Sequence, residues 1–163
     1  MNTILPNENL PANYGAWRLN AITPHTQKLL DDFPKLFRPC ESPFGDFGYE
    51  CGKGWFDLVY QLCAAIEQAA TAAKLEPNSD RWPFMRQIKA KFSVLRFVID
   101  LLNPDEQDDE LVTCINALIR EAEDKSIVMC EGCGAAGTPK TNRNGWWICI
   151  TCPACEEKRL AKA

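Results

Sequence analysis

Five cysteines lie within one short stretch, CEGCGAAGTPKTNRNGWWICITCPAC, as one CxxC followed by the overlapping CxxCxxC. A CxxC turn brings two sulfurs to the same side, and two such turns supply the four thiolates of a tetrahedral zinc site. Two pairings keep two complete turns. The first pair, Cys130 and Cys133, is joined either by Cys149 and Cys152 or by Cys152 and Cys155. Both pairings predict a small, metal-held fold in this part of the chain.

The segment NRNGWWICIT between the two turns predicts a β-hairpin, because Asn144-Gly145 is a dipeptide that type I′ turns prefer. Side chains alternate along a strand, so Cys149 points away from Cys152 if the strand continues to Thr151. CPAC also resembles the second turn of zinc ribbons. We therefore predict a zinc ribbon that leaves out Cys149 and has four ligands: Cys130, Cys133, Cys152 and Cys155.

A zinc ion with four protein ligands usually holds a small fold together, because a catalytic zinc needs an open coordination position. The ribbon is therefore expected to be structural. An alternative is a nucleic-acid-binding ribbon, in which basic side chains contact phosphates and a tryptophan stacks on a base. A tryptophan pair beside a ribbon more often packs it onto its neighbour. The residues of this alternative are Lys140, Arg143, Trp146, Trp147, Lys158 and Arg159.

Charge divides unevenly along the 163 residues, whose formal net charge is −4. Residues 1–125 hold 13 basic and 19 acidic residues, whereas residues 126–163 hold 5 and 3. Excess Lys and Arg is what non-specific nucleic-acid binding requires, so only the last part of the chain is expected to face phosphate. No apolar run reaches the ~18 residues of a membrane span, and nine cysteines with CxxC spacing but no signal peptide indicate reduced thiols. A cytoplasmic protein without a membrane partner is expected.

The chain is expected to be α+β, a small helical and β-hairpin domain with a C-terminal zinc ribbon. Residues 1–22 are expected to form an extended arm, residues 23–125 the α+β domain, and residues 126–163 the ribbon and tail. Thr23-Pro24 and Asn103-Pro104 each predict a helix start. A three-and-four apolar spacing predicts a helix from Trp55 to about Lys74, and RWPFMRQIKAKFSVLRFVIDLL predicts a hairpin. After Asn103, the predicted buried face is Leu111, Cys114, Ile115, Leu118 and Ile119.

No catalytic constellation is recognised, and the protein is expected not to be an enzyme. A cysteine nucleophile needs a base, and the only histidine, His25, lies in the early proline-flanked helix, away in sequence from Cys40 and Cys51. The carboxylates near residue 50 are explained by turn solvation and helix capping. Cys63 and Cys114 are expected to be small core residues.

Three segments together, FGYECGKGWFDLVYQLC, KAKFSVLRFVI and the CxxC ribbon, resemble a family of small uncharacterised proteins encoded by tailed bacteriophages and prophages. Proteins of that family have an ECGxGW segment that opens a helix, a KEKFGxLRFY hairpin, a further helix and a terminal metal knuckle. The resemblance covers roughly residues 36–155. It implies that Cys130, Cys133 and Cys152 match family cysteines, and that Cys155 lies where the family often has a histidine. Ser93-Val94 replaces the usual glycine turn of the hairpin.

The resemblance implies a phage or prophage accessory protein, and no reaction comes with it. Our leading hypothesis is a non-enzymatic protein that binds a host macromolecule, most concretely an inhibitor of a bacterial defence complex such as a CRISPR effector. An acidic surface that competes for a nucleic-acid channel is the physical means we expect. The expected cofactor is Zn²⁺, and the expected partner is a host or phage protein complex.

Overall fold

The computed structural model describes residues 23–37, 49–77, 79, 81–101, 109–141 and 148–161. Within them the chain is mixed α+β, with a three-stranded sheet and a separate two-stranded hairpin. The predicted arm, residues 1–22, lies outside the described residues. The helices are α1 (Pro24–Asp32), α2 (Phe56–Ala72), α3 (Asp109–Ser126) and α4 (Pro153–Leu160). The strands are β1 (Tyr49–Glu50), β2 (Phe84–Lys91), β3 (Val94–Asp100), β4 (Thr138–Thr141) and β5 (Ile148–Thr151).

The first two helices begin where local residue preferences place them. Thr23 caps α1 as predicted, with its hydroxyl accepting a hydrogen bond from the backbone N–H of Thr26 at 3.2 Å. A 3₁₀ turn, Lys53–Trp55, leads directly into α2. The apolar stripe of α2 is buried as its spacing predicts, and Cys63 is fully enclosed in it. The two helices therefore supply much of the domain core.

The predicted hairpin is confirmed. β2 pairs antiparallel with β3, and β1 adds to the other edge of β2 in parallel, which gives the order β1-β2-β3. Only two residues, Phe92 and Ser93, join β2 to β3, and both have positive φ, 52° and 66°. Type I′ turns share this feature, and they match the twist of paired strands. A hairpin thus forms without a glycine in its turn.

At each edge of this sheet, one backbone N–H group donates a hydrogen bond to a side-chain hydroxyl. The backbone N–H of Tyr49 on β1 donates to Thr26 Oγ1 at 3.1 Å, and that of Leu95 on β3 donates to Ser126 Oγ at 3.0 Å. Both hydroxyl residues are buried, with at most 1% of their surface exposed. An unpaired strand edge would otherwise offer its N–H groups to another chain. Helices α1 and α3 therefore each supply a partner for one N–H group at an edge of the sheet.

Helix α3 packs against α2 and β3, but its buried face differs from the predicted one. Ile115 is fully buried and Leu111, Leu118 and Ile119 are partly buried, whereas Cys114 is exposed, so its prediction as a core residue is wrong. The cause is the end of the helix, where Ser126 has to reach the edge of β3. Ile115 lies eleven residues before Ser126, about three helical turns, and therefore faces the same side of α3, whereas Cys114 is rotated about 100° further round the helix. The predicted helix start at Asn103 lies outside the described residues.

The ribbon shares the core of the α+β domain. β4 and β5 pair antiparallel, as predicted, and the turn around Asn144 lies outside the described residues. Ile150 on β5 is fully buried and belongs to the same cluster as Trp55 and the α2 residues. Within the described part of the chain, no helix is both long and apolar enough to cross a membrane.

Candidate metal centre

The four cysteines predicted as ligands lie together. The sulfur atoms of Cys130, Cys133, Cys152 and Cys155 are all within 4.8 Å of one another, and the sulfurs of Cys133 and Cys152 are 3.6 Å apart. Four sulfurs bound tetrahedrally at a Zn–S distance of about 2.3 Å would be separated by about 3.8 Å. The four side chains therefore fit a single tetrahedral metal ion without rearrangement of the backbone.

The first pair of cysteines lies on a tight turn. The backbone N–H of Gly134 donates to the carbonyl of Cys130 at 2.8 Å, and the N–H of Cys130 donates to the carbonyl of Ala135 at 2.7 Å. Gly134 has a φ of +81°, a conformation that a side chain would strain. This turn, residues 130–134, is called the knuckle below. It brings both sulfurs close to those of Cys152 and Cys155, which follow β5 in the chain.

The second pair lies at the start of α4. Cys152 is the N-cap residue, Pro153 follows at the first helical position, and the N–H of Glu156 donates to the Cys152 carbonyl at 3.0 Å. Proline suits this position because its missing N–H would be unpaired there in any case. The first helical turn brings Cys155 back beside Cys152. The positive end of the helix dipole also favours thiolates at this point.

The knuckle is seated on the segment that joins β1 to α2. The N–H of Gly54 donates to the carbonyl of Glu131 at 2.8 Å, and the N–H of Gly52 donates to the Glu131 carboxylate at 2.9 Å. A Cβ atom on Gly52 would lie 2.2 Å from the Glu131 carbonyl, and one on Gly54 would lie 2.4 Å from the Cys130 carbonyl. The two backbones therefore approach at a distance that only glycine permits.

Two further contacts fix the knuckle to the domain. The indole Nε1 of Trp55, a fully buried residue, donates to the carbonyl of Met129 at 2.9 Å. The N–H of Glu131 donates to the carbonyl of Ile150 on β5, also at 2.9 Å. The metal centre is thus held between the ribbon on one side and the start of α2 on the other.

The thiols of the cluster differ in acidity. Burial raises the pKa of Cys130, but backbone N–H groups of Cys152, Cys133 and Gly132 directed at its sulfur outweigh burial and lower that pKa to about 7. The surrounding sulfurs of Cys133, Cys152 and Cys130 raise the pKa of Cys155 to about 12. Four thiolates repel one another unless a cation lies among them. The donor set is therefore one that a soft divalent metal ion would stabilise.

Cys149 is not part of the cluster. Strand β5 continues to Thr151, so Cys149 and Cys152 face different ways, as the alternation argument requires. Its side chain is 4% exposed, and burial raises the pKa of its thiol. Cys149 therefore behaves as a small buried apolar residue.

The residues of the alternative, nucleic-acid-binding ribbon are only partly described. Arg143, Trp146 and Trp147 lie outside the described residues, and for Lys140 only the backbone, in β4, is described. On α4, Lys158 is exposed. Arg159 instead forms an ion pair with Glu156, through Nη2 at 2.7 Å and Nε at 2.9 Å. The described part of the ribbon thus places a single unpaired cation of this set on the surface.

The residues considered for catalysis are not assembled into a described site. The ring of His25 packs against Phe56, with ring centroids 4.4 Å apart, and stacks on Tyr49 at 5.8 Å. Cys51 is half-buried, and burial together with the charge of Glu131 raises the pKa of its thiol. A raised pKa disfavours the thiolate that a nucleophile needs. Cys40 lies outside the described residues.

The glycines that contact the knuckle, Gly52 and Gly54, were not predicted as part of the site. Both stand in the segment ECGKGW, and the predictions from sequence gave them no part in the metal centre. The two glycines two residues apart, directly before a tryptophan and a helix, are the only sign of close backbone contact in the sequence. Their partner, Glu131, is 79 residues away from Gly52.

No protein-family model, no curated protein and no solved structure matches this chain. The similarity to phage-encoded proteins, and with it the predicted biological context, stays a prediction. The structure itself shows a four-cysteine cluster in a ribbon that packs against the domain core.

Proposed function

We propose that this protein is a non-enzymatic binding protein whose zinc ion is structural, and that it acts as a phage or prophage accessory protein on a macromolecular complex of the host cell. The observation that carries the proposal is the closed four-cysteine cluster seated on Gly52 and Gly54. All four tetrahedral positions of a zinc ion are taken by cysteines, so none is left for a substrate or water. When bound, zinc supplies a cross-link between the knuckle and α4.

Zinc is the metal we propose because the donors are four thiolates in a tetrahedral arrangement. Zinc binding is expected to fix the knuckle against the start of α2 and thereby to keep the partner-binding surface of the domain in its folded shape. The function then lies in the shape and charge of that surface.

The proposed partner is a protein complex of the host, and inhibition of a defence complex such as a CRISPR effector is the specific form. The excess of acidic residues before the ribbon supports this form, because an acidic surface competes with nucleic acid for a basic channel. The acidic run 105–110 is the densest part of this excess. Replacing Asp105, Asp108 and Asp109 with asparagine should weaken the complex and flatten its salt dependence.

The test is affinity capture of the tagged, zinc-loaded chain from a host lysate, with and without nuclease, followed by mass spectrometry and purification of the captured complex. The expected result is a nuclease-resistant protein complex whose affinity falls in the triple asparagine variant. A matched control replaces three exposed acidic residues outside that run, Asp31, Glu76 and Asp124, with their amides. If both variants bound as tightly as the unchanged chain, the acidic mechanism would be wrong. If a substrate analogue bound directly to the zinc ion, the purely structural role of the metal would be wrong.

A further inference from the structure

The β2–β3 hairpin is a basic segment in an acidic part of the chain. The hairpin, residues 84–100, holds four Lys or Arg residues and one Asp, although residues 1–125 as a whole have six more acidic than basic residues. Such a local concentration of one sign of charge attracts a partner of the opposite sign even when the whole molecule is acidic. The hairpin is therefore a candidate binding surface apart from the metal centre.

The register of the hairpin places three cations on one face. Ile88 and Phe97 are opposite each other and buried, so the next pair, Lys89 and Arg96, projects from the other face. Lys91 lies two residues beyond Lys89 and projects to the same side. Like charges directly opposite each other destabilise a strand pair. Glu50 beside Lys89 and Glu123 near Arg96 offset part of this repulsion, and a bound anion would relieve the rest.

Acidic neighbours neutralise one end of this face but not the other. Far from the turn, Arg86 pairs with Asp100 at 2.6 Å. Glu50 lies beside Lys89 in the β1–β2 register, and its carboxylate accepts a hydrogen bond from Gln87 at 3.3 Å. Near the turn, Arg96 reaches Glu123 only at 3.5 Å, and its side chain stays 45% exposed. Lys89 and Lys91 form no ion pair with any described residue. Positive charge is therefore concentrated at the turn end of the hairpin.

An exposed aromatic ring lies at that same end. Phe92 is 69% exposed, and the Nζ atom of Lys91 lies 5.4 Å from its ring centroid. Its φ of 52° is a conformation that a bulky residue rarely adopts, and turns of this kind prefer Asn-Gly. A strained, exposed phenylalanine beside cations serves no packing purpose in the described fold.

We infer that the turn end of the β2–β3 hairpin binds single-stranded nucleic acid. Lys89, Lys91 and Arg96 would contact the phosphates, and an unpaired base would stack on the ring of Phe92. A single strand fits better than a duplex because the ring projects from a two-residue turn, and only an unpaired base offers it a free face. This site goes beyond the proposed function and lies apart from the ribbon residues of the alternative reading.

The test measures fluorescence anisotropy of labelled oligothymidylate, oligouridylate and a mixed duplex with the full, zinc-loaded chain over a range of salt concentrations. Binding is expected for the single strands and not for the duplex. Replacing Lys89, Lys91 and Arg96 with glutamine should lower the slope of log affinity against log salt by about 2. Phe92→Ala should weaken binding about tenfold, and Phe92→Trp should retain it.

Lys158→Gln, which removes the exposed cation on α4, is the matched control and should bind as the unchanged chain does. Lys91→Gln alone serves if the triple variant does not fold, because this side chain is exposed. Three results overturn the inference: no complex at low salt, unchanged binding in the Phe92→Ala and lysine variants, or an equal loss in Lys158→Gln. None of them affects capture of a nuclease-resistant protein complex, so the two proposals fail separately.

Discussion

At the scale of single residues, the closest contact of the metal centre with the domain is backbone against backbone. Gly54 donates to Glu131, and its Cα lies where a side chain would strike the Cys130 carbonyl and the Gly134 nitrogen at 2.4 Å. These contacts involve main-chain atoms, which cannot turn aside as a flexible side chain can. A single methyl group at Gly54 therefore displaces the knuckle.

We expect Gly54→Ala to lower the free energy of unfolding by about 2 kcal/mol, as overpacking of a dense interior does. Zinc affinity should fall as well, because the displaced knuckle carries two of the four cysteines. Urea denaturation and competition with a chromophoric chelator measure the two effects. Lys53→Ala, an exposed neighbour in the same turn, should change both by little. Equal effects of the two substitutions would show that the contact is not close.

Glu67 on α2 is a residue at which charge is unfavourable. Burial raises the pKa of its carboxyl group above 4.5, although Lys35 and the backbone N–H of Leu36 act in the opposite direction. Its Oε1 atom is buried and has no hydrogen-bond partner among the described residues. Because the folded pKa lies above the unfolded one, ionisation destabilises the fold as the pH rises through the folded pKa.

Glu67→Gln should therefore be more stable than the unchanged chain at pH 7, and the difference should shrink as the pH falls toward 4.5. The amide keeps an oxygen for the N–H of Leu36. Urea midpoints of both chains, compared at each pH, measure the difference. A variant that is less stable at pH 7 would mean that the carboxylate is stabilised by an interaction stronger than its burial cost.

At the scale of elements, the β2–β3 turn shows what strand pairing can impose on unsuitable residues. Phe92 and Ser93 both adopt a left-handed conformation because a two-residue connection with this twist joins the strands best. Ser93 is also 6% exposed, and its hydroxyl has no described partner. Strand pairing along seven positions outweighs these local costs.

Ser93→Gly should raise the free energy of unfolding by about 1 kcal/mol, since a left-handed conformation costs a non-glycine residue about that much. Thermal and urea unfolding measure the gain. Ser93→Ala separates the causes, because it removes the hydroxyl but keeps the Cβ atom in the strained conformation. If Ser93→Ala gained as much as Ser93→Gly, the unpaired hydroxyl and not the backbone would be the source of instability.

Helix starts and buried faces that are set by residues close together in the sequence were predictable. Thr23-Pro24 starts α1, and the apolar spacing after Trp55 defines α2, because caps and periodicity act within one helix. The alternation of β5 likewise separated Cys149 from the four clustered cysteines. The exposure of Cys114 was not predictable, because the rotation of α3 is set by Ser126 at the edge of β3. The contact of the knuckle with Gly52 and Gly54 was not predictable either, because it joins segments that are far apart in the sequence.

At the scale of the whole molecule, the ribbon and the α+β domain form a continuous interior. Trp55 donates to Met129, Ile150 lies in the core cluster, and Gly54 contacts the knuckle. Zinc binding in such sites contributes on the order of 10 kcal/mol to folding. Because these contacts join the ribbon to the start of α2, the loss of zinc should destabilise both the ribbon and that part of the domain.

We therefore expect Cys130→Ser, Cys133→Ser, Cys152→Ser and Cys155→Ser each to lose zinc and unfold the ribbon. Backbone hydrogen exchange should also accelerate around Trp55, immediately before α2. Chelation of the unchanged chain should give the same pattern. Metal content by mass spectrometry and hydrogen exchange resolved by peptide measure the two effects.

Cys149→Ser is the control for these variants, since it changes a buried thiol outside the cluster and should keep one zinc ion per chain. Its stability should fall modestly, because a hydroxyl replaces a small apolar group in a buried position. If Cys149→Ser lost the metal while Cys155→Ser kept it, the ligand set would be wrong. If exchange around Trp55 stayed slow after zinc removal, the ribbon would be an independent unit, and the contacts of Gly52 and Gly54 would not couple it to the domain.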